Sequence, residues 1–323
     1  MQKTDAGNAI IKIQNVSKRY HKLYALNDFT LDIPRGAVYG FIGPNGAGKS
    51  TLLRILAALI SPSRGEVWFE NTEVSQHPSF IQRKIGYMPD FFGVYPDLTT
   101  VEYLEFYAGI HKIPRKKRRR TIEDLLELVD LTPKRDELVE TLSRGMKQRL
   151  CLARALIHDP DILLLDEPAS GLDPRGRVEL RELVHSLQSI GKTVIISSHI
   201  LPELAEMCTD IAILQEGRLV ASGDVEHIVQ RFSTNRLFEI RILEAERIPD
   251  ALELLKKQPT MSNITREAEH LLVAEFNGNE QALPLIMAEL ITQGIPITSF
   301  APRASSDRLE EIFMSITEGS SRS

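Results

Sequence analysis

Long apolar runs are missing from these 323 residues. No stretch approaches the roughly 18 uninterrupted apolar residues that cross a bilayer, so no spanning helix is expected. Cysteine is scarce. Cys151 and Cys208 give no disulfide framework and read as reduced core thiols, which points to the cytosol. The first eight residues are polar and lack the apolar core of a signal peptide. There is no excess of positive charge: 39 basic against 44 acidic residues leave a net charge of −5, and no nucleic-acid partner is expected. No internal repeat is present. What remains, 42% hydrophobic and 26% charged residues, is the composition of a globular chain. The length suggests a large domain followed by a small one.

The most informative segment is Gly43-Pro44-Asn45-Gly46-Ala47-Gly48-Lys49-Ser50. It has the form G-x-x-x-x-G-K-[ST] and lies between an apolar run (37–42) and a helix-like run (51–60). Strand, glycine loop, then helix is the context that makes the pattern a phosphate site. The glycines let successive backbone N–H groups turn toward one point, and the helix adds its positive end. Lys49 is expected on the β- and γ-phosphates, Ser50 on Mg²⁺ and Thr51 on the α-phosphate. The expected ligand is a nucleoside triphosphate.

Asp161-Ile162-Leu163-Leu164-Leu165-Asp166-Glu167-Pro168 is a short apolar run ending in two carboxylates. It reads as a buried parallel strand that presents Asp166 and Glu167 at its C-terminal end, where ligands sit on open α/β sheets. Asp166 is expected to hold Mg²⁺ through its water shell and Glu167 to polarise an attacking water.

Leu142-Ser143-Arg144-Gly145-Met146-Lys147-Gln148-Arg149 opens a helical pattern that runs to His158. Ser143 is a good N-cap, so the next helix points free N–H groups at an anion. The segment resembles the signature of ATP-binding-cassette (ABC) ATPases, with Ser143 and Gly145 at its most informative positions. Arg144 and Met146 replace the commoner glycine and glutamine. The resemblance, over residues 10–232, implies that Ser143 and Gly145 meet the γ-phosphate bound by a second subunit. It also implies that Ser170-Gly171-Leu172-Asp173 is the loop crossing the dimer interface. His199, after the strand-like Ile195-Ile196-Ser197-Ser198, is similar to the switch histidine on the γ-phosphate, and Tyr20 to the aromatic that stacks on adenine.

One position departs from the family. In Ile85-Gly86-Tyr87-Met88-Pro89-Asp90, aspartate stands where these ATPases usually carry a glutamine that touches Mg²⁺ and reports nucleotide state to a membrane partner. A carboxylate suits a hard cation but repels the γ-phosphate. Asp90 is therefore expected to be a metal contact that lowers basal turnover or raises the Mg²⁺ requirement. Phe91-Phe92-Gly93-Val94-Tyr95 follows, an apolar cluster suited to a partner groove.

Residues 99–142 are helix-rich and interrupt the α/β alternation, as a helical subdomain of the family does. Within them, Arg115-Lys116-Lys117-Arg118-Arg119-Arg120 is a basic run that leads into Ile122, Leu125, Leu126 and Val129, one face of a helix. It reads as the solvated start of a surface helix, with anionic lipid or nucleic acid as the functional alternative.

After residue 232 the pattern is strand 237–243, helix 250–258, strands 261–266 and 271–276, helix 281–293, strand 295–300 and helix 309–317. That β-α-β-β-α-β order is that of a ferredoxin-like sandwich. Segment 235–323 holds 9 basic and 14 acidic residues, which accounts for the whole net charge. It carries no catalytic cluster, and its final polar residues, 319–323, are expected to be unstructured. The end of the chain resembles that of drug- and polysaccharide-exporter ATPases.

The expected fold class is thus α/β, a P-loop NTPase core of ABC type (9–232) with a helical subdomain (about 93–150), plus a small α+β ferredoxin-like domain (235–318). The resemblance implies the ATPase subunit of an exporter: ATP and Mg²⁺ as cofactors, an integral membrane permease subunit as partner, and a homodimer or a heterodimer with a related ATPase. The dimer interface would include Ser143, Gly145 and Asp173, and the location would be peripheral on the cytoplasmic face of a membrane. A soluble ABC-type ATPase acting as a regulatory or assembly factor is the alternative. A third reading is a nucleotide-dependent binding module in which Asp90 suppresses hydrolysis.

Overall fold

Burial along the strands sets the architecture. β3 (Val38–Ile42), β7 (Ile162–Asp166) and β8 (Thr193–Ser198) are buried at every position. This is the mark of strands covered on both faces of a parallel sheet, and it explains why their sequences do not alternate. The computed structural model describes residues 9–91, 93, 95–225, 227–228 and 236–302, and it divides into two compact units, 1–225 and 226–323.

The first unit holds two sheets. β1 (Ala9–Tyr20), β2 (Leu23–Pro34), β4 (Arg64–Phe69) and β5 (Thr72–Glu73) form an antiparallel sheet in the order β2-β1-β4-β5. The second sheet adds β6 (Ile85–Met88), β9 (Asp210–Gln215) and β10 (Arg218–Asp224), in the order β10-β9-β3-β8-β7-β6. All its neighbours are parallel except β10, which runs antiparallel to β9. Phe29, Phe41, Phe69, Leu52, Leu164 and Ile195 belong to one continuous core that joins both sheets.

Seven α-helices lie in the described part of this unit, beside two short 3-10 helices at Thr132–Lys134 and Val139–Thr141: α1 (Lys49–Leu56), α2 (Pro78–Lys84), α3 (Thr100–Ile110), α4 (Arg115–Leu128), α5 (Arg144–Leu156), α6 (Pro174–Ser189) and α7 (Leu201–Met207). α3 and α4 lie within 99–142, the segment expected to be helix-rich, and both pack on α5, which follows it. α3 starts in a reciprocal cap: the Thr99 hydroxyl accepts from the Glu102 N–H while the Glu102 carboxylate accepts from the Thr99 N–H.

α1 stops at Leu56, four residues before the periodicity runs out. Ala58 sits at φ +54°, Leu59 N–H donates to Arg54 O at 3.0 Å and Ala58 N–H to Ile55 O at 3.0 Å. These are the two bonds of a Schellman C-cap, formed around an alanine where glycine is usual. Likewise α5 ends at Leu156 rather than His158.

The second unit is a four-stranded antiparallel sheet of β11 (Arg236–Ile242), β12 (Met261–Ala268), β13 (Leu271–Phe276) and β14 (Ile297–Pro302), in the order β12-β13-β11-β14. Helices Ile248–Lys257 and Leu283–Thr292 contribute Ile248, Leu255, Ile286 and Leu290 to its core. The arrangement is a ferredoxin-like split β-α-β sandwich. The helix expected at 309–317, the tail at 319–323, Phe92 and Val94 lie outside the described residues. Among the described residues no helix is long and apolar enough to cross a membrane, and both cysteines are free thiols.

Candidate active site

The parallel order β3-β8-β7-β6 brings four strand C-termini to one edge. Ile42 is in register with Ser198, and Asp166 with Ser197. The loops after β3, β8, β7 and β6 therefore converge: they carry 43–49, His199, Glu167 and Asp90. In open α/β sheets this edge is where ligands bind.

The glycine loop takes its shape from two positions. Gly48 caps α1 at φ +105°, and a Cβ there would stand 2.4 Å from the Ala25 carbonyl oxygen. A Cβ on Gly43 would stand 2.4 Å from the Leu214 carbonyl oxygen. Only glycine lets the loop pass this close to its neighbours. α1 then starts with no side-chain cap, so its first N–H groups face the loop.

Lys49 is 6% exposed as a side chain and donates to the Gly43 carbonyl oxygen at 2.6 Å. Its Nζ lies 3.3 Å from Glu167 Oε1, and His199 Nδ1 lies 2.9 Å from Glu167 Oε2. Glu167 thus bridges the lysine and the histidine. It does so from a left-handed backbone, φ +50°, a conformation that costs a non-glycine residue about 1–3 kcal/mol and is held by its surroundings. One of those restraints is the bond from Glu167 N–H to Ser197 Oγ, 2.9 Å long.

Asp166 is 2% exposed, and its Oδ1 accepts from Ser50 Oγ at 3.1 Å and from Ser197 Oγ at 2.7 Å. Burial raises its pKa, the two hydroxyl bonds oppose the rise, and the charges of Asp90 and Glu167 add to it. Asp90 itself is exposed, just past β6, and near enough for its charge to bear on both Asp166 and Tyr87.

Ser143, Gly145 and Asp173 lie elsewhere. Ser143 caps α5, its Oγ accepting from Met146 N–H at 3.3 Å, and Asp173 caps α6, its Oδ1 accepting from Gly176 N–H at 2.8 Å. All three line a cavity of about 460 Å³ between α5 and α6, whose walls include none of Lys49, Ser50, Asp166, Glu167 or His199. Tyr20 ends β1, is 42% exposed, and has Lys18 Nζ 5.4 Å from its ring centroid.

Sequence reasoning passed over two residues, Ser197 and Gln148. Ser197 ties Asp166 to the Glu167 backbone; its signal was a hydroxyl near the end of an apolar strand next to the acidic one. Gln148, buried at 6% exposure, donates to the Pro168 carbonyl oxygen and so fastens α5 to the turn after Glu167. Arg144 packs its guanidinium over Gly171, where a Cβ would meet its Cζ at 2.5 Å. Here the family departure at position 144 sits against the loop of Asp173.

A glycine loop feeding a helix, with a lysine, a hydroxyl and two carboxylates at the C-terminal edge of a parallel sheet, defines a P-loop nucleoside triphosphatase. Residues 26–170 match the family model described as ABC transporter. The Nod factor export ATP-binding protein I of Burkholderia orbicola is 34% identical over 257 residues, 80% of this chain and 84% of that protein. The daunorubicin resistance ATP-binding protein DrrA3 of Streptomyces coeruleorubidus is 31% identical over 308 residues, 95% of each chain. Among solved structures, a dimeric post-hydrolysis state of an ATP-binding cassette bound to ADP and Pi aligns with TM-score 0.62 and 29% identity, covering 67% of this chain and 98% of that one. The chain belongs to the ATP-binding proteins of ABC transporters, and it is an ATP hydrolase of that family.

Proposed function

We propose that this chain powers export, as one of two ATPase copies that close head to tail on ATP and drive a separate membrane subunit. The observation that carries the reading is the division of the site. Lys49, Ser50, Asp166, Glu167 and His199 gather at one sheet edge, whereas Ser143, Gly145 and Asp173 gather at a separate cavity. In this reading a phosphate held at the first group meets the second from another molecule. The names of the relatives, one of an export protein and one of a resistance protein, support the exporter assignment.

In this reading the backbone N–H groups of the loop beyond Pro44, which has none, and of the start of α1 hold the phosphates, with Thr51 on the α-phosphate. Tyr20 offers its exposed ring to adenine. ATP draws Lys49 from Gly43 O and Glu167 onto the β- and γ-phosphates. Glu167, released from the lysine, takes a proton from the attacking water, and His199 contacts the γ-phosphate. The loop ending in Asp173 crosses to the other copy.

Ser50 and Asp166 form an oxygen pair suited to a hard divalent cation. Mg²⁺ held there would neutralise charge on the β- and γ-oxygens. No group of three or more His, Cys, Asp and Glu among the described residues has metal-holding geometry, so phosphate and water would supply the remaining ligands. Asp90 faces the same space with a third negative charge. Asp90→Gln is expected to raise the ATPase rate at limiting Mg²⁺ or to lower the Mg²⁺ needed for half-maximal rate. Unchanged rate and unchanged Mg²⁺ dependence would remove Asp90 from the metal's surroundings.

The surface for the membrane subunit is the segment after Asp90. Phe91 is 89% exposed, and Tyr95 stacks edge-on against Phe106, which is 44% exposed on α3. Exposed aromatics at this density mark an interaction site. Tagged Glu167→Gln protein, recovered with MgATP from detergent-solubilised membranes of the source cells, is expected to bring down a stoichiometric multi-pass membrane protein. Recovery of soluble partners alone would replace the transport reading with that of a regulatory ATPase.

A further inference from the structure

Helix α4 is charged the wrong way round. A helix is stabilised by acidic residues near its N-terminus and basic ones near its C-terminus. The first six residues of α4 are Arg115, Lys116, Lys117, Arg118, Arg119 and Arg120, and its acids, Glu123, Asp124 and Glu127, come later. There is no acidic residue in the first turn, no basic residue in the last, and no side-chain cap at Pro114. The ion pairs it does form, Arg119–Glu123 at 2.9 Å and Arg120–Asp124 at 3.9 Å, have the base N-terminal to the acid, the weaker orientation. Helix stability alone does not account for this order.

The placement of the charges supplies a reason. The buried side chains of α4 are Ile122, Leu125 and Leu126, so the first seven residues, about 10 Å of helix, lie beyond the buried stretch. Arg118 turns back to donate to Ile113 O at 2.8 Å. Lys112, Arg115, Lys116 and Lys117 are exposed, and no carboxylate among the described residues pairs with them. Ile110, 55% exposed at the end of α3, precedes this cluster. Seven of the nine residues 112–120 are cationic and none is acidic.

We infer that this end of the α3–α4 pair is a contact surface for an anionic lipid bilayer. The cations project from a helix end rather than lining a groove, which suits a broad charged plane. No Phe, Tyr or Trp lies among residues 111–121 to stack on bases, and the one ring there, His111, is already stacked on His158 with centroids 4.0 Å apart. An exposed isoleucine beside the cluster is placed for shallow insertion between headgroups. Each Lys or Arg near an anionic leaflet adds attraction that salt screens. Such a contact holds an ATPase at the membrane independently of any protein subunit, and it does not depend on the exporter reading.

The test uses the purified full-length chain and sedimentation with phosphatidylcholine vesicles, with and without phosphatidylglycerol. The chain is expected to sediment with the phosphatidylglycerol vesicles in low salt and to be released in high salt. The triple variant Arg115→Gln, Lys116→Gln, Lys117→Gln should weaken that binding about 100-fold. Its ATPase rate should stay at the wild-type level, and its melting temperature should not fall, because the removed cations opposed the helix dipole. Removing two cations elsewhere, Lys256→Gln with Lys257→Gln, should leave binding intact. Equal binding to both vesicle types, no binding, or equal loss in the two variants would overturn the inference. Duplex DNA or RNA that strips the chain from the vesicles at equal phosphate would reassign the surface to nucleic acid.

Discussion

Glu167→Gln is expected to cut ATP turnover by roughly 100- to 10,000-fold, the range spanned by a positioned general base, while ATP still binds. The substitution keeps the size of the side chain and an oxygen for the 2.9 Å contact with His199, so the constellation stays in place. It removes the negative charge that now lies 3.3 Å from Lys49. Two consequences follow from that charge. Lys49 is freed for the phosphates, and the repulsion between Glu167 and the γ-phosphate disappears, so the ATP-bound closed dimer should accumulate. Single-turnover phosphate release and size-exclusion mass with MgATP check both halves. Hydrolysis at the wild-type rate would take Glu167 out of the reaction.

Gly48→Ala is expected to abolish measurable ATP binding and to destabilise the first unit. Two effects act together. At φ +105° a residue with a Cβ is strained by about 1–3 kcal/mol. The added carbon would also stand 2.4 Å from the Ala25 backbone oxygen, and backbone cannot swing aside as a flexible side chain does. The loop must move, and with it the N–H groups at the start of α1. For a unit of this size each kcal/mol lowers the melting temperature by about 2–4 °C. Gly46, at φ +85° with open space where its Cβ would go, serves as the contrast. Gly46→Ala meets only the backbone strain and should lose less. Nucleotide titration and thermal melting separate the two, and Gly48→Ala that binds ATP normally would refute the account of the loop.

Much of this was legible because the core strands carry strong local signals. Buried parallel strands read as unbroken apolar runs, so residues 37–42, 161–166 and 193–197 stood out, each just ahead of a residue with chemistry. The described part of the second unit, 236–302, was equally legible, since its strands and helices are short and bounded by turn residues. What the sequence withheld was contact between distant segments. Ser197 looks like one more residue of an apolar strand until the register sets it opposite Asp166. The left-handed turn at Glu167 has no signal in a glutamate, and the end of α1 has none because Ala58 occupies the place of the usual glycine. The basic run at 115–120 was legible as a helix start. Its misfit with the helix dipole gains meaning from the fold, in which Arg115 and its neighbours extend beyond the buried stretch.

If one catalytic site is built from two molecules, as proposed, the ATPase rate per molecule depends on protein concentration. It is measured over a dilution series, with the mass of the species determined at each point in MgATP. The account predicts that the rate per molecule falls on dilution in step with the loss of dimer, and that Ser143→Arg removes both dimer and activity while ATP binding persists. A monomer that hydrolyses ATP at the full rate would contradict it.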